Sequence, residues 1–192
     1  MGNKPVITSS IDSFVLSTND DESQTVDEPD LLRSLFNLYR IFKNNPNAYV
    51  EFKENEEKQT LKTNLVLNQD QEEARANKKI TKARKYQMIL LNLLMKKFNN
   101  ETLYLLLFKL IGFIIKEDDF LNLFMKNGLE QLCTIVLGVE FTISNKVFIE
   151  GCELLNDVLA IFQNKPALLD KQLTTLFKIY SIPKKLNEKE IP

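Results

Sequence analysis

The sequence contains no histidine and no tryptophan, and only five of its 192 residues are glycine. The absence of histidine excludes imidazole-based acid–base catalysis, Ser–His and Cys–His nucleophile pairs, and almost every catalytic zinc site. Neither G-x-x-x-x-G-K-[ST] nor G-x-G-x-x-G occurs, which excludes the common glycine-rich phosphate-binding loops. We therefore expect a protein that is not an enzyme and that holds no cofactor and no metal ion.

Excess charge and long apolar runs are also lacking. The 25 basic and 26 acidic residues give a net charge of −1, so no nucleic-acid partner is expected, because such domains are usually strongly basic. The longest apolar run, from Leu103 to Ile115, is interrupted by Lys109 and is shorter than the ~20 residues that span a bilayer. The first twenty residues lack the features of a secretion signal or a mitochondrial presequence. Two cysteines, Cys133 and Cys152, lie in apolar stretches and are expected to be buried thiols of a cytoplasmic protein.

Three regions follow from the distribution of polar residues. Residues 1–29 are predicted to be a disordered acidic N-terminal tail, because they offer too little apolar surface to offset the entropy of ordering. A short docked anchor is the alternative there, carried by Val6, Ile7, Ile11, Phe14, Val15 and Leu16. Residues 30–182 form the predicted helical domain, and residues 183–192 form a charged C-terminal tail. No strand pattern competes with the helical periodicity, so the predicted fold class is all-α.

Apolar spacing predicts the individual helices. A helix beginning at Asp30 carries its apolar stripe from Leu31 to Phe42, and the residues after it predict two short helices, near 48–52 and 61–67. Further helices are predicted over residues 69–98, 101–116, 118–127, 129–137 and 144–163, followed by two short ones between 166 and 180. The helix over 101–116 is apolar on nearly every face, which is typical of a central helix.

Four residues near the shorter helices have predicted local roles. Glu117, Asp118 and Asp119 are expected to cap the start of the helix over 118–127, where acidic side chains complement the helix dipole. Gly128 is expected to end that helix in a left-handed conformation.

A repeated unit is visible in the C-terminal half. A long helix, a turn and two short helices occupy residues 101–138 and again 144–180, and a fainter copy covers 30–55, with a period of roughly 40–47 residues. The segment 120–137, with its small-residue turn at Asn127-Gly128 and its leucine spacing, resembles the armadillo repeat family, as does the small-residue step at Gly112. The resemblance implies a short right-handed superhelix of about three to four repeats that serves as a binding scaffold.

The resemblance also marks positions where this sequence departs from the family. Armadillo proteins that bind extended peptides commonly carry a ladder of asparagines, often beside tryptophan, on the third helix of each repeat. Phe113 stands where the first such asparagine is expected, and Asn156 or Asp157 occupies the matching region of the next copy. The resemblance therefore implies the scaffold rather than that particular peptide groove.

Two surfaces are predicted to bind a partner. The first, called here the basic face, places several cations one helical turn apart and is expected to contact an acidic protein surface; its residues are Arg75, Lys78, Lys79, Lys82, Arg84 and Lys85. The plain alternative is a solvated helix end. The second lies at the C-terminal end of the domain, where apolar residues either contact a partner or complete the core: Leu173, Leu176, Phe177 and Tyr180.

The sequence thus predicts a non-catalytic adaptor or scaffold subunit that binds proteins within a larger complex, with attachment to the cytoskeleton as one form of the hypothesis. The alternative is a peripheral membrane protein anchored by acylation of Gly2 together with the basic face. Val6 stands where the acylation motif favours Ser or Thr.

Overall fold

The computed structural model describes residues 4–17, 27–66, 81–138 and 143–164, and every regular element in these ranges is an α-helix. In chain order the helices are α1 (Lys4–Ser17), α2 (Glu28–Asn44), α3 (Ala48–Val66), α4 (Lys82–Leu94), α5 (Glu101–Ile114), α6 (Asp118–Asn127), α7 (Leu129–Val136) and α8 (Asn145–Asn164). The prediction of an all-α fold is confirmed for this part of the chain.

Helix α5 is the centre of the molecule and lies between α2 and α8, packing along both. It is apolar on nearly all sides, and its buried residues point towards several neighbours at once: Leu103, Tyr104, Leu106, Leu107, Phe108, Leu110, Ile111 and Ile114. Helices of this composition must be covered on several faces. The long helices α2, α5 and α8 therefore stand side by side as a row, which we call the helix row.

Aromatic side chains join the N-terminal helices to this row. The ring of Phe42 in α2 meets Tyr49 of α3 and Phe113 of α5 edge-on, at centroid distances of 6.3 and 5.8 Å. The ring of Tyr86 in α4 meets Phe14 of α1 at 5.6 Å. Edge-to-face pairs of this kind add to the stabilisation from burial alone.

Helix α1 corrects the prediction of a disordered tail for residues 4–17. Ile7, Ile11 and Phe14 recur at helical spacing, are buried and pack with α1 against α2. This is the docked anchor that the apolar residues allowed, and their burial offsets the ordering entropy of an otherwise polar segment. Residues 18–26, which carry part of the acidic cluster of the predicted tail, lie outside the described residues.

Two other helix predictions were wrong. Helix α3 is one continuous helix where two short ones were expected, because the charged residues between the apolar clusters are themselves good helix formers. The helix predicted over 69–98 begins only at Lys82, because Thr81 is extended (ψ 155°) and its hydroxyl accepts a hydrogen bond from the backbone N–H of Arg84. Residues 67–80 lie outside the described ranges.

The left-handed glycine near α7 is Gly138 and not Gly128. Gly128 was expected to be left-handed, but its φ is −107°, and its value lies in packing: a Cβ there would stand 2.8 Å from Leu91 Cδ2 and 2.6 Å from Phe124 Cδ2. The left-handed residue is Gly138, with φ 61°, directly after α7.

The row agrees only partly with the predicted repeat. Helix α5 is followed by the short helices α6 and α7, as expected, whereas α2 is followed by α3, which has 19 residues. The right-handed superhelix of about three to four repeats stays a prediction. The proposed domain end at residue 182 and the tail 183–192 lie outside the described residues.

Candidate functional site

A groove of about 590 Å³ opens where α2, α5 and α8 lie side by side. Its apolar surface comes from all three helices, through Tyr39 of α2, Phe113 of α5 and Leu154 of α8. The volume lies within the range of specific binding clefts, about 300–1,000 Å³. We call this feature the row groove.

The floor of the row groove is held by core contacts. Phe113 packs edge-on against the buried Phe42 and lies 6.3 Å, ring centre to ring centre, from Tyr39. The Nζ atom of Lys43 stands 5.8 Å from the centre of the Tyr39 ring, a cation–π distance. The two aromatic rings are therefore fixed in position while remaining partly accessible.

Gly112 keeps the groove open between α5 and α8. A Cβ built on Gly112 would meet nothing closer than Leu154 Cδ1 at 3.9 Å and Asp157 Oδ2 at 4.0 Å. The position thus has room for a side chain that the sequence does not supply. A notch results beside the Asp157 carboxylate.

Charges of both signs border the row groove. Lys109 and Glu150 form an ion pair of 2.7 Å that ties α5 to α8 along one wall. Lys116, Glu153 and Asp157 also line the groove, and none of them pairs with another described residue. These three side chains are available to orient an incoming ligand.

The armadillo pattern drew attention to three residues of the groove, one of which is Gly112. Phe113 and Asp157, marked by their positions in the armadillo pattern, both line it, whereas Asn156 is exposed on α8 outside the lining. Tyr39 and Glu153 were missed. The spacing of Tyr39 marks it only as part of the apolar stripe of α2, and that of Glu153 only as part of a polar face of α8. No sequence signal places these two helix faces side by side.

The basic face is described only from Lys82 onward, since Arg75, Lys78 and Lys79 lie outside the described residues. Lys82 Nζ pairs with Asp12 of α1 at 2.8 Å, so part of its charge is already neutralised. Arg84 Nη1 donates to Gln87 Oε1 at 3.2 Å, and Lys85 is exposed. Because α4 begins at Lys82, after the extended Thr81, the cations on the two sides of Thr81 do not lie on one continuous helix as predicted. The prediction that the basic face contacts an acidic partner stays a prediction.

A carboxylate of α3 supports the start of α4. The Glu56 side chain accepts hydrogen bonds from the backbone N–H groups of Lys82 and Ala83, at 2.6 and 2.9 Å. This anionic cap compensates for the cations in the first turn of α4, which oppose the helix dipole.

The acidic cluster lies at the start of α6 as predicted, with Asp118 and Asp119 in the first turn, but it makes a further contact that the sequence did not indicate. Glu117 is the N-cap residue but makes no side-chain cap bond; instead Lys53 of α3 pairs with Asp119 at 2.8 Å and with Glu117 at 3.4 Å. The hydrogen bond from Lys53 lowers the pKa of Asp119. Partial burial opposes the charged form of Lys53, and its bond to Asp119 outweighs this and raises the pKa of Lys53.

A buried polar pair was missed by the sequence analysis. Gln87 is 2 % exposed and donates through Nε2 to the Tyr49 hydroxyl at 2.9 Å. The hydroxyl of the neighbouring Tyr86 is fully buried and has no hydrogen-bond partner among the residues that the structure describes. Burial raises the pKa of both tyrosines, so both stay protonated.

Both cysteines are free thiols, and the prediction that they are buried holds for Cys133, whereas Cys152 is half-buried. Burial raises the pKa of Cys133 to about 11, which suppresses the reactive thiolate. Within the described ranges no three acidic or cysteine side chains are grouped to hold a metal ion, and none of the helices described is long and apolar enough to cross a bilayer.

The remaining predicted site residues stay untested. Gly2 and the C-terminal set Leu173, Leu176, Phe177 and Tyr180 lie outside the described residues. No family model, no curated protein and no solved structure matches the chain. The resemblance to armadillo repeats therefore stays a prediction.

Proposed function

We propose that this chain is a non-catalytic adaptor or scaffold subunit that binds a protein partner through the row groove, within a larger cytoplasmic assembly such as a cytoskeletal one. The observation that carries the proposal is the row groove itself. It combines an apolar aromatic floor with three charged side chains that have no partner among the described residues.

The groove geometry suits one part of a protein interface. Binding energy between proteins concentrates in a few central contacts, often with aromatic anchors surrounded by a polar rim. Tyr39 and Phe113 supply the fixed rings, and Lys116, Glu153 and Asp157 supply the rim. A segment of a partner that places an apolar side chain on the rings is oriented by these charges.

The basic face is the second contact of the same proposal. An acidic partner surface meets Lys85 directly, whereas Lys82 must first exchange its pair with Asp12. Lys85 is therefore the described cation best placed for a long-range attraction that weakens with salt.

Substitution of Gly112 tests the groove without disturbing the core. Gly112→Gln places a helix-forming side chain in the notch, and Gly112→Ala is the matched control because its Cβ meets only ordinary contacts. Proteins captured from the native source by the wild-type chain are expected to be retained by Gly112→Ala and reduced about tenfold by Gly112→Gln and by Asp157→Lys. Equal capture by all four chains would contradict the proposal.

The membrane alternative has one supporting observation, the pairing of α1 with the start of α4 through Asp12 and Lys82. This contact ties the helix that follows Gly2 to the basic face. Binding of the acylated chain to anionic vesicles, lost in high salt, would favour this alternative.

A further inference from the structure

The side of the row groove that α8 forms is acidic. Glu150, Glu153 and Asp157 line the groove and recur at the spacing of one helix face, and we call these three residues the acidic wall. Glu150 is paired with Lys109 of α5 at 2.7 Å. Glu153 and Asp157 are exposed and form no ion pair with another described residue. The acidic wall therefore presents two carboxylates that are not neutralised by this part of the chain.

The lysines around the row groove leave this negative charge in place. Lys53 pairs with two acids at the start of α6, and Lys43 lies against the ring of Tyr39. Lys116 follows the end of α5, is exposed to solvent and forms no ion pair with the acidic wall. The charge of the acidic wall is thus left for a ligand to balance.

The notch at Gly112 joins an apolar surface to this charge. A Cβ built on Gly112 would lie 3.9 Å from Leu154 Cδ1 and 4.0 Å from Asp157 Oδ2. A ligand side chain that crosses the backbone of Gly112 therefore contacts a methyl group and a carboxylate oxygen of α8 together. The ring of Phe113, partly accessible, belongs to the same lining. The notch fits a side chain that is apolar along its length and polar at its end.

A basic side chain satisfies both parts of the notch best. An apolar side chain there would shield the Asp157 carboxylate from water without giving it a partner, which is unfavourable. Lysine and arginine lay their aliphatic stems on apolar surface and keep the charged head at its polar edge. The guanidinium group of arginine also pairs with a carboxylate through two parallel hydrogen bonds and stacks on aromatic rings.

We propose that the row groove binds a basic segment of its protein partner, with an arginine or lysine seated in the notch between Leu154 and Asp157. The inference rests on the proposed function, because it concerns the same groove, and it adds the charge of the bound segment. Glu153 and Asp157 select for that charge, since an acidic segment would face them at close range. The basic face, on α4, is a separate contact with an acidic part of the partner.

A random peptide library displayed on phage and selected on the full chain reads out the preferred ligand of the groove. Peptides retained by the wild type and by Gly112→Ala, but not by Gly112→Gln, bind at the notch. This set is expected to be enriched in arginine or lysine beside an apolar residue. Enrichment in acidic or uncharged peptides overturns the inference and leaves the proposed function standing, whereas an empty set contradicts both.

Charge variants of the full chain test the acidic wall directly, with the affinity of an enriched peptide measured by fluorescence anisotropy. Asp157→Asn is expected to weaken binding about tenfold, because it removes the charge that pairs with the peptide. Lys116→Gln is expected to leave binding unchanged or to strengthen it, because a basic ligand gains nothing from that lysine. Glu130→Gln, exposed on α7 outside the groove lining, is the matched control. Unchanged binding by Asp157→Asn, or weaker binding by Lys116→Gln, overturns the proposal.

A neutral replacement in the peptide separates the effect of charge from that of shape. Citrulline in place of arginine, or norleucine in place of lysine, keeps the length of the side chain and removes its charge. The replacement is expected to weaken binding to the wild type about tenfold and to have little further effect on Asp157→Asn, since the pair is already broken there. An equal loss of affinity in both chains overturns the assignment of the basic side chain to the notch beside Asp157.

Discussion

At the scale of single residues, the role of a glycine depends on side chains that contact it from other helices, and the sequence alone does not identify those contacts. Gly151 lies inside α8 and lets that helix approach α7 closely, because a Cβ there would clash with Val136 Cγ2 and stand 3.3 Å from Phe108 Cε2. Gly128 was assigned to a left-handed cap and instead serves packing. At both positions the small residue type indicates a local constraint, but tertiary contacts decide whether that constraint is backbone conformation or close packing.

Two glycine-to-alanine substitutions are expected to have opposite effects. Gly112→Ala should leave the free energy of unfolding unchanged or raise it by about 0.4–1 kcal/mol, because it reduces the entropy of the unfolded chain without a clash. Gly151→Ala should lower it by about 1–3 kcal/mol, because Val136 has to move. Urea unfolding of the two variants beside the wild type measures both values. Equal stability of the two variants would contradict the packing described for α8.

At the scale of elements, periodicity predicted the helices whose apolar faces are complete. The predicted bounds of α5, α6 and α8 agree with the structure to within two residues, because their buried positions recur without interruption. Prediction failed where polar chemistry decides the boundary. Thr81 is the N-cap residue of α4 and accepts a hydrogen bond from the backbone N–H of Arg84. The backbone N–H of Lys82, in the first turn, donates to the Glu56 carboxylate of α3, a helix distant in sequence.

The ion pairs of Lys53 join two elements and give stability a pH dependence. Because Lys53 lowers the pKa of Asp119 in the folded chain, this contribution is complete above the unfolded pKa of the carboxyl, near 3.8, and is lost as the pH falls through the lower, folded value. The Asp119 side chain is 65 % exposed, so the effect is at most about 1 kcal/mol.

Removal of the Lys53 charge tests this link between α3 and α6. Lys53→Met should destabilise the chain by up to about 1 kcal/mol at neutral pH, and by progressively less as the pH falls below the unfolded pKa of the carboxyl, since protonation of Asp119 removes its charge. Lys58→Met, whose pair with Glu54 lies on the surface within α3, is the matched control. Thermal unfolding at several pH values measures the difference, and a destabilisation that is constant with pH would contradict the assignment.

At the scale of the whole molecule, the sequence predicted the class of fold and the central position of α5, but not which helices become neighbours. Contacts between α2 and α5 join residues far apart in sequence, such as Phe42 and Phe113, and apolar spacing does not encode this pairing. The row groove is a consequence of that pairing. Phe113 and Asp157 were marked in advance by the repeat pattern, while the opposing ring of Tyr39 was recognised only from the packed structure.

The central claim, that the row groove binds a protein, is tested most directly by a photo-crosslinking amino acid at position 116, where the exposed Lys116 borders the groove. The matched control carries the same group at Lys126, exposed on α6. Irradiation in the native source is predicted to give a discrete protein adduct from position 116, none from position 126, and none from position 116 when Gly112→Gln fills the notch. Equal adducts from both positions, or an adduct that survives Gly112→Gln, would contradict the account.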